Sequence, residues 1–501
     1  MRKLFNKILI ANRGEIAVRL IRACHELGIA AVAVYSEPDR ASLHVLKADE
    51  AYAIGPASAA ESYLNIERIL ETAKRCGAEA IHPGYGFLSE NATFARACGD
   101  AGIKFIGPSS ASIDLMGSKT RARQQMEKAG VPFVPGSSKG LESLAKAREV
   151  AAKFGYPVML KAAAGGGGKG MRLVTNEAEL ASSLDAARSE AQRAFGNDEV
   201  YLEKAITDPR HIEMQILADE HGSCVYLGER ECSIQRRHQK VLEESPSPAV
   251  TQEMRQRMGE TAVRAAKAAG YSNAGTIEFL ADASGNFYFL EMNTRLQVEH
   301  PITELVSGLD LVHLQIRIAA GEKLPFAQKD IQLRGHAVEC RIYAEDPDNN
   351  FFPSPGRITS SIEPSGPGIR LDSGIYSGWN VGVDYDPLLS KLVAYGADRP
   401  EAIARMRRAV DEYIIAGVKT NLSLFRRILT DADFIAGETD TGYLARLSRK
   451  APTHDNERDR EVAVIASAIW SALDLANGKS TPPQTNAPSA WKHAARTEAM
   501  E

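Results

Sequence analysis

The chain has 501 residues, room for about three domains at roughly 150 residues each. Hydrophobic residues supply 44%, charged residues 25% and aromatic residues 7%, the balance of a globular protein, which excludes a disordered or fibrous chain. Lys plus Arg total 60 against 64 Asp plus Glu, so a net charge of −4 excludes a global positive field that would draw nucleic acid or anionic lipid; any anion must be captured locally.

The opening residues MRKLFNKILIANRGE are basic, but their apolar run from Ile8 to Ala11 is cut by Asn12 and Arg13, too short for a signal peptide. No stretch approaches the roughly 18 apolar residues of a membrane span. The six cysteines, Cys24, Cys76, Cys98, Cys224, Cys232 and Cys340, form no CxxC, so the expectation is a cytoplasmic chain with free thiols and no zinc ribbon.

In chain order, a strand over residues 7–11 leads to a helix with Ile16, Leu20, Ala23 and Leu27 at helical spacing, a stop at Gly28 and a strand over 31–35, a βαβ unit. The alternation continues through AEAIHPGYGFLSEN and IKFIGPS and gives an α/β domain to about Pro108. Next come a strand GYPVMLKA, a glycine cluster and a returning strand MRLV, read as a small flap on two hinges. From 200 to 320, VYLEKAI, HIEMQIL, CVYLGE, GTIEFLA and FYFLEMN look antiparallel, with a helix after Pro301. A third block from about 334 to 447 mixes strands such as HAVECRIYAE with the helix ARMRRAVDEYII. Past Arg449, EVAVIASAIWSALDLA predicts a short amphipathic helix and NGKSTPPQTNAPSA a disordered linker.

Three constellations carry chemistry. The cluster Gly165–Gly168 lies between two strands, with Gly170 where a Walker A loop needs Ser or Thr and no helix for a dinucleotide fingerprint to open. That leaves a β-turn-β whose backbone N–H groups can approach phosphate, with Lys161 entering from the preceding strand; the plain alternative is a solvated surface hinge. In GTIEFLADASGNFYFLEMNTR, a two-residue turn at Ser284-Gly285 pairs Asp282 with Phe287 and sets Glu278 opposite Glu291. Two facing carboxylates repel unless a proton or a cation intervenes, and Mg²⁺ with oxygen ligands, Asn293 as a third, fits; a splayed, solvated pair is the alternative. In the loop 293–301, Arg295 offers a planar fork to a small carboxylate-like anion and Glu299 could act as a base, ahead of a helix starting at Pro301. An Arg295–Glu299 salt bridge is the bland reading, and His300 reads as a cap or packed imidazole. ERECSIQRRHQK is locally basic but lacks the interleaved aromatics of a nucleic-acid binder.

Taken together, KILIANRGEIAVRLIRAC, HPGYGFLSEN, MGSK, KAAAGGGGKGMR, ERECSIQRRHQK, EMNTRLQVEHP and RGHAVECRIYAEDP resemble the biotin carboxylase family of the ATP-grasp superfamily, over about residues 7–447. The resemblance implies a mixed α/β and α+β chain. It implies an N-terminal Rossmann-like α/β domain over 1–115, an ATP-grasp domain over 116–325 with a glycine-rich lid at about 131–204, a C-terminal mixed α/β domain over 334–447 and a tail over 450–501. Carried over residue by residue, Lys119 and Lys161 bind ATP phosphates, with Gly167 and Gly168 of the lid; Glu203, Lys204 and Ile206 meet the adenine; His211, Gln235 and His238 lie near ribose and phosphates. Glu278, Glu291 and Asn293 hold Mg²⁺ or Mn²⁺. Lys240, Arg295 and the backbone of Val298 hold bicarbonate, Glu299 deprotonates it, and Arg341, with Tyr85, serves biotin.

The implied reaction is MgATP- and bicarbonate-dependent carboxylation of biotin through carboxyphosphate, the first half-reaction of an acetyl-CoA or related acyl-CoA carboxylase. Two departures qualify the carry-over. Thr441-Gly442 is small at an expected adenine contact, and the terminal EAM lacks an acceptor lysine and a carrier-sized domain. The implied partners are therefore a separate biotin carboxyl carrier protein, carboxyltransferase subunits and a second copy of the chain. The alternatives are another ATP-grasp carboxylate–amine ligase, the biotin carboxylase component of a 2-oxo acid carboxylase, and a regulatory ATP-binding protein with a dead site.

Overall fold

The computed structural model describes residues 4–137, 140–162, 171–237, 239–450 and 461–470. The chain divides into one unit from Met1 to Ser448 and a second from Arg449 to Glu501.

The first part of the chain builds a five-stranded parallel sheet in the order Glu50–Gly55, Ala30–Ser36, Lys7–Ile10, Ala80–His82, Lys104–Phe105. Ile8, Leu9 and Ile10 are wholly buried, as a central strand covered on both faces requires. The helix Gly14–Glu26 turns Ile16, Leu20, Ala23 and Cys24 inward, and Gly28, at φ 68°, ends it in a conformation that costs other residues a Cβ clash. Strand order reverses between Lys7–Ile10 and Ala80–His82, and a crevice opens at the carboxyl ends of those two strands. There Asn12 Nδ2 donates to the carbonyls of Pro83 and Tyr85, both at 2.7 Å, and so positions Tyr85.

The main sheet is antiparallel and eight-stranded, in the order Phe287–Asn293, Asn273–Ala281, Arg210–Ala218, Cys224–Arg236, Gln239–Ser245, His336–Tyr343, Leu388–Gly396, Ile369–Ser373. The chain leaves it between Asn293 and His336, yet the sheet runs on unbroken, Leu242 pairing with Cys340 and Glu243 with Glu339. The two ends of the sheet pack against different helices. Met254, Met258 and Ala262 of Gln252–Ala268 cover Ile212, Met214 and Ile277, whereas Met406 and Val410 of Arg399–Glu412 cover Val338 and Leu392.

A separate three-stranded sheet places Val158–Ala162 between Met171–Val174 and Val200–Lys204. Leu144–Phe154 and Leu180–Phe195 cover it around a small core of its own that includes Val158, Leu160, Leu184 and Leu202. The glycine cluster connects two of its strands and lies outside the described residues, as does the expected linker in the tail.

In the second unit, residues 461–470 are helical and Val462, Val464, Ile465, Ile469 and Trp470 are exposed. All six cysteines are free thiols, and no helix among the described residues is long and apolar enough to cross a membrane.

Candidate active site

The strand Arg210–Ala218 is covered on both faces, yet every second residue, His211, Glu213 and Gln215, is polar. Buried polar groups demand partners, and neighbouring strands supply them. Arg230, also wholly buried, pairs with Glu213 and donates to Gln215 Oε1 at 2.7 Å, Thr303 Oγ1 at 2.8 Å and Thr276 Oγ1 at 3.1 Å. Lys240 reaches across from the adjoining strand and spends its three N–H groups on three carboxylates: Glu213 at 2.5 Å, Glu299 at 2.6 Å and Glu278 at 3.0 Å. Burial works against this ammonium, but the ring of carboxylates holds it well above the ordinary lysine value.

Glu299 joins two cations. Its Oε1 accepts from Lys240, and its Oε2 accepts from Arg341 Nη2 at 2.9 Å; the same guanidinium lies 2.5 Å from Glu243. Burial alone would raise the Glu299 carboxyl, but Lys240, then Arg341 and Arg230, outweigh it and hold Glu299 well below the usual carboxylate range. Glu299 caps the helix His300–Ser307, with Pro301 in the first turn. His300 is a packed imidazole, Nδ1 2.9 Å from the Gln297 carbonyl, and burial keeps it neutral.

Glu278 and Glu291 do stand opposite each other, but by a different register from the one expected. Asp282 N donates to Asn286 O and Ala281, not Asp282, pairs with Phe287, so the connection is one residue longer than a Ser284-Gly285 turn. A bulge between Glu278 and Phe279 then shifts the ladder by one and restores the carboxylate pair. Glu278 is buried, with His211 Nε2 at 2.9 Å and the Asn293 amide at 2.8 Å; burial is outweighed by Lys240 and His211, which hold its carboxyl far down. Glu291 faces the open cleft and makes no hydrogen bond among the described residues; desolvation, then the Glu278 charge, raises it. An unpartnered carboxylate, a second one opposite and the Asn293 amide form the all-oxygen donor set that suits a hard divalent cation. Two further groups could hold an ion, His211–Glu213–Glu278 and Glu213–Cys232–Glu299, but Lys240 already stands among their carboxylates.

The other expected residues fall around this cluster. Lys161 pairs with Glu203 at 2.6 Å, and Arg123 with the same carboxylate at 2.9 Å. Lys119 is exposed at the start of the helix Lys119–Lys128, in the field of Glu291, Lys161 and Glu203. Lys204 turns its side chain away, donating to the carbonyls of Gly155 at 2.9 Å and Tyr156 at 3.1 Å, while Ile206 lies half-buried in the following loop. The expected alternative of an Arg295–Glu299 salt bridge is not formed. Arg295 pairs with Glu90 at 3.0 Å and donates to Gln297 Oε1 at 2.9 Å and Asn293 Oδ1 at 3.1 Å. Gln235 and Thr441 line one cavity of about 470 Å³ with Arg236, Phe351 and Arg427. The Tyr85 hydroxyl is buried without a hydrogen-bond partner. Gly167, Gly168 and His238 lie outside the described residues.

Sequence reasoning missed Glu90, Glu213, Arg230 and Lys391, the last of which donates to the Val298 carbonyl at 2.8 Å. For Glu213 a signal existed: polar residues at every second position of HIEMQ, in a segment otherwise apolar enough to be covered on both faces, ask for buried cations nearby.

Three family models match successive stretches: biotin carboxylase N-terminal domain over 4–113, carbamoyl-phosphate synthase L chain ATP-binding domain over 118–327, and biotin carboxylase C-terminal domain over 339–446. One of the two pyruvate carboxylase relatives, from Methanothermobacter thermautotrophicus, is 54% identical over 492 residues, 95% of this chain and 100% of that protein. A biotin carboxylase of Nostoc is 54% identical over 445 residues, 89% of this chain and 100% of its own. Among solved structures, the biotin carboxylase domain dimer of Hydrogenobacter thermophilus 2-oxoglutarate carboxylase, in complex with MgADP, ADP and bicarbonate, is 50% identical with a TM-score of 0.84, covering 90% of this chain and 100% of that one.

Proposed function

This chain belongs to the biotin carboxylase family, and from that premise and the Lys240 cluster we propose how it carboxylates biotin with MgATP and bicarbonate. The observation that carries the reading is one ammonium bonded at once to Glu278 of the facing carboxylate pair and to Glu299, whose other oxygen holds Arg341. Cations are thereby fixed where charge develops, first on phosphoryl oxygens and then on a ureido oxygen.

In this reading Lys119 and Lys161 hold ATP phosphates, Lys161 exchanging Glu203 for the nucleotide, and Gly167 and Gly168 close over them. The backbone at Glu203, Lys204 and Ile206 meets the adenine, and His211, Gln235 and His238 face ribose and phosphates; Lys204 contributes main chain, since its side chain is committed elsewhere. Glu278, Glu291 and Asn293 hold Mg²⁺ or Mn²⁺, which supplies charge neutralisation on the phosphates. Lys240, Arg295 and the Val298 backbone bind bicarbonate. Glu299 takes its proton, an oxygen attacks the γ-phosphate, and carboxyphosphate and ADP result. Carboxyphosphate gives CO₂ and phosphate, the phosphate takes the biotin N1′ proton, and biotin attacks CO₂ while Arg341 stabilises the enolate and Tyr85 lines its site.

The depressed proton affinity of Glu299 fits this order. Paired with Lys240 and Arg341 it is a poor base, since efficient bases sit near the working pH. An anion that draws those two cations onto its own oxygens raises the proton affinity of Glu299 only once it is bound.

The carboxylated biotin is carried by a separate carrier protein, further subunits transfer the carboxyl group, and the chain pairs with a second copy. A cytoplasmic location suits its six free thiols. Acetyl-CoA is the first acceptor to consider. A 2-oxo acid is the second, favoured by one observation: the match to the Methanothermobacter pyruvate carboxylase protein, over 95% of the chain, must run into the tail beyond Lys450. The test is ADP release with MgATP and bicarbonate, with and without free biotin, following labelled bicarbonate into carboxybiotin. Biotin-stimulated turnover with label transfer is expected; a folded protein that binds MgATP and does neither would overturn the reading in favour of another ATP-grasp ligase substrate.

A further inference from the structure

Lys391 sits on the strand Leu388–Gly396 and is 0% exposed. Its ammonium donates to the carbonyl of Val298 at 2.8 Å and stands 3.3 Å from Glu15 and 3.9 Å from Asp372, with the Tyr85 ring 5.7 Å away. Glu15 comes from the first helix of the chain, Tyr85 from the neighbouring crevice loop, Lys391 and Asp372 from the far end of the main sheet and Val298 from the loop before helix His300–Ser307. Four segments distant in sequence thus meet on one cation.

A buried ammonium needs compensating charge, and Glu15 and Asp372 provide it. Burial pushes the Glu15 carboxyl up to about 7, against the pull of Lys391. Charge balance, however, gives no reason for the ammonium to reach a main-chain carbonyl. That carbonyl belongs to the peptide unit whose nitrogen is that of Glu299. The unit is planar, so holding its oxygen holds the plane from which the Glu299 Cα departs. Glu299 itself is wholly buried and meets Lys240 and Arg341 at 2.6 and 2.9 Å, distances that a small rotation of the peptide would break.

We propose that Lys391 is a positioning residue: by clamping the Val298–Glu299 peptide it sets the Glu299 carboxylate between Lys240 and Arg341. The inference rests on the reading of Glu299 as the base, and its test separates the two. The double variant Lys391→Met/Glu15→Gln removes the clamp while keeping the buried site neutral, and Asp372 keeps Arg370 at 2.9 Å. Hydrogen exchange over residues 294–300 is expected to accelerate about tenfold or more in a protein that melts near the wild-type temperature. Kinetically, the bicarbonate KM rises and kcat falls, together about tenfold or more in kcat/KM, with the MgATP Kd within about twofold. Charge balance alone predicts the opposite. Lys391→Met would be impaired and the double variant restored to wild-type exchange and kinetics, and that result, or a parallel loss of MgATP affinity, overturns the proposal. Lys391→Gln serves the exchange measurement if neither methionine variant folds. A wild-type chain without bicarbonate-dependent turnover would defeat the functional reading, while exchange at 294–300 would still decide the clamp.

Discussion

Glu299→Gln is the most direct probe of the site. Gln keeps the shape but loses the charge, and where Glu299 accepts from Lys240 at 2.6 Å and Arg341 at 2.9 Å, an amide can satisfy only one of them; its NH2 faces the other cation. Charge-assisted hydrogen bonds contribute about 1.5–3 kcal/mol each. Lys240 keeps Glu213 and Glu278, and Arg341 keeps Glu243, so neither cation is left unpaired. The expected cost in stability is therefore about 1–3 kcal/mol, read from a thermal or denaturant melt, and the fold survives. Catalysis should lose far more. A positioned general base contributes about 10²–10⁴-fold, so ADP release driven by bicarbonate should fall by that factor. MgATP affinity should stay within about twofold, because Glu299 touches the facing carboxylates only through Lys240. Equal losses in MgATP binding and in turnover, or a variant within about threefold of wild type, would refute the assignment of Glu299 as base.

Three further outcomes follow from the same geometry. Arg341→Ala should depress carboxylation of biotin more than biotin-independent ATP cleavage, measured side by side, since its role begins after carboxyphosphate forms; parallel losses would remove that role. Glu291→Gln should raise the Mg²⁺ concentration for half-maximal turnover about 10–100-fold, as expected for a lost ligand, with melting temperature unchanged because Glu291 has no hydrogen bond among the described residues to lose. Glu15→Gln should change how stability depends on pH. Burial raises this carboxyl from 4.5 to about 7, so the folded chain holds a proton that the unfolded chain releases, and stability falls as pH rises from about 4.5 to 7. The wild type thus forgoes up to ~3 kcal/mol at pH 8 that Gln does not, and the melting temperature of the variant should gain on wild type between pH 5 and 8; parallel curves would show that Glu15 does not titrate there.

How much of this was legible in the sequence depended on how far apart the partners lie. The βαβ start was readable because Ile16, Leu20 and Ala23 repeat at helical spacing and Gly28 stops the helix, all within a short local stretch. The carboxylate pair was readable from alternation along two adjacent strands, but only through two compensating errors. The turn is one residue longer than Ser284-Gly285 suggests, and the bulge beside Glu278 takes that residue back up at Leu290. Bulges follow from how the twisted sheet must bend over its neighbours, which local sequence does not record. Lys240, Arg295, Glu299 and Arg341 were singled out because their motifs are contiguous. Their partners were not: Glu90 lies 205 positions from Arg295, and nothing in LLSKLVAYG distinguishes Lys391 from a solvated lysine on an alternating strand. What turns it inward is that the strand is neither edge nor face but interior to an eight-stranded sheet, with the helix Gly14–Glu26 packed across it. A lysine there has no path to water, so Glu15, Asp372 and a main-chain oxygen must replace it. The demand for partners is visible only once the topology is known, and the catalytic loop is the nearest segment able to meet it.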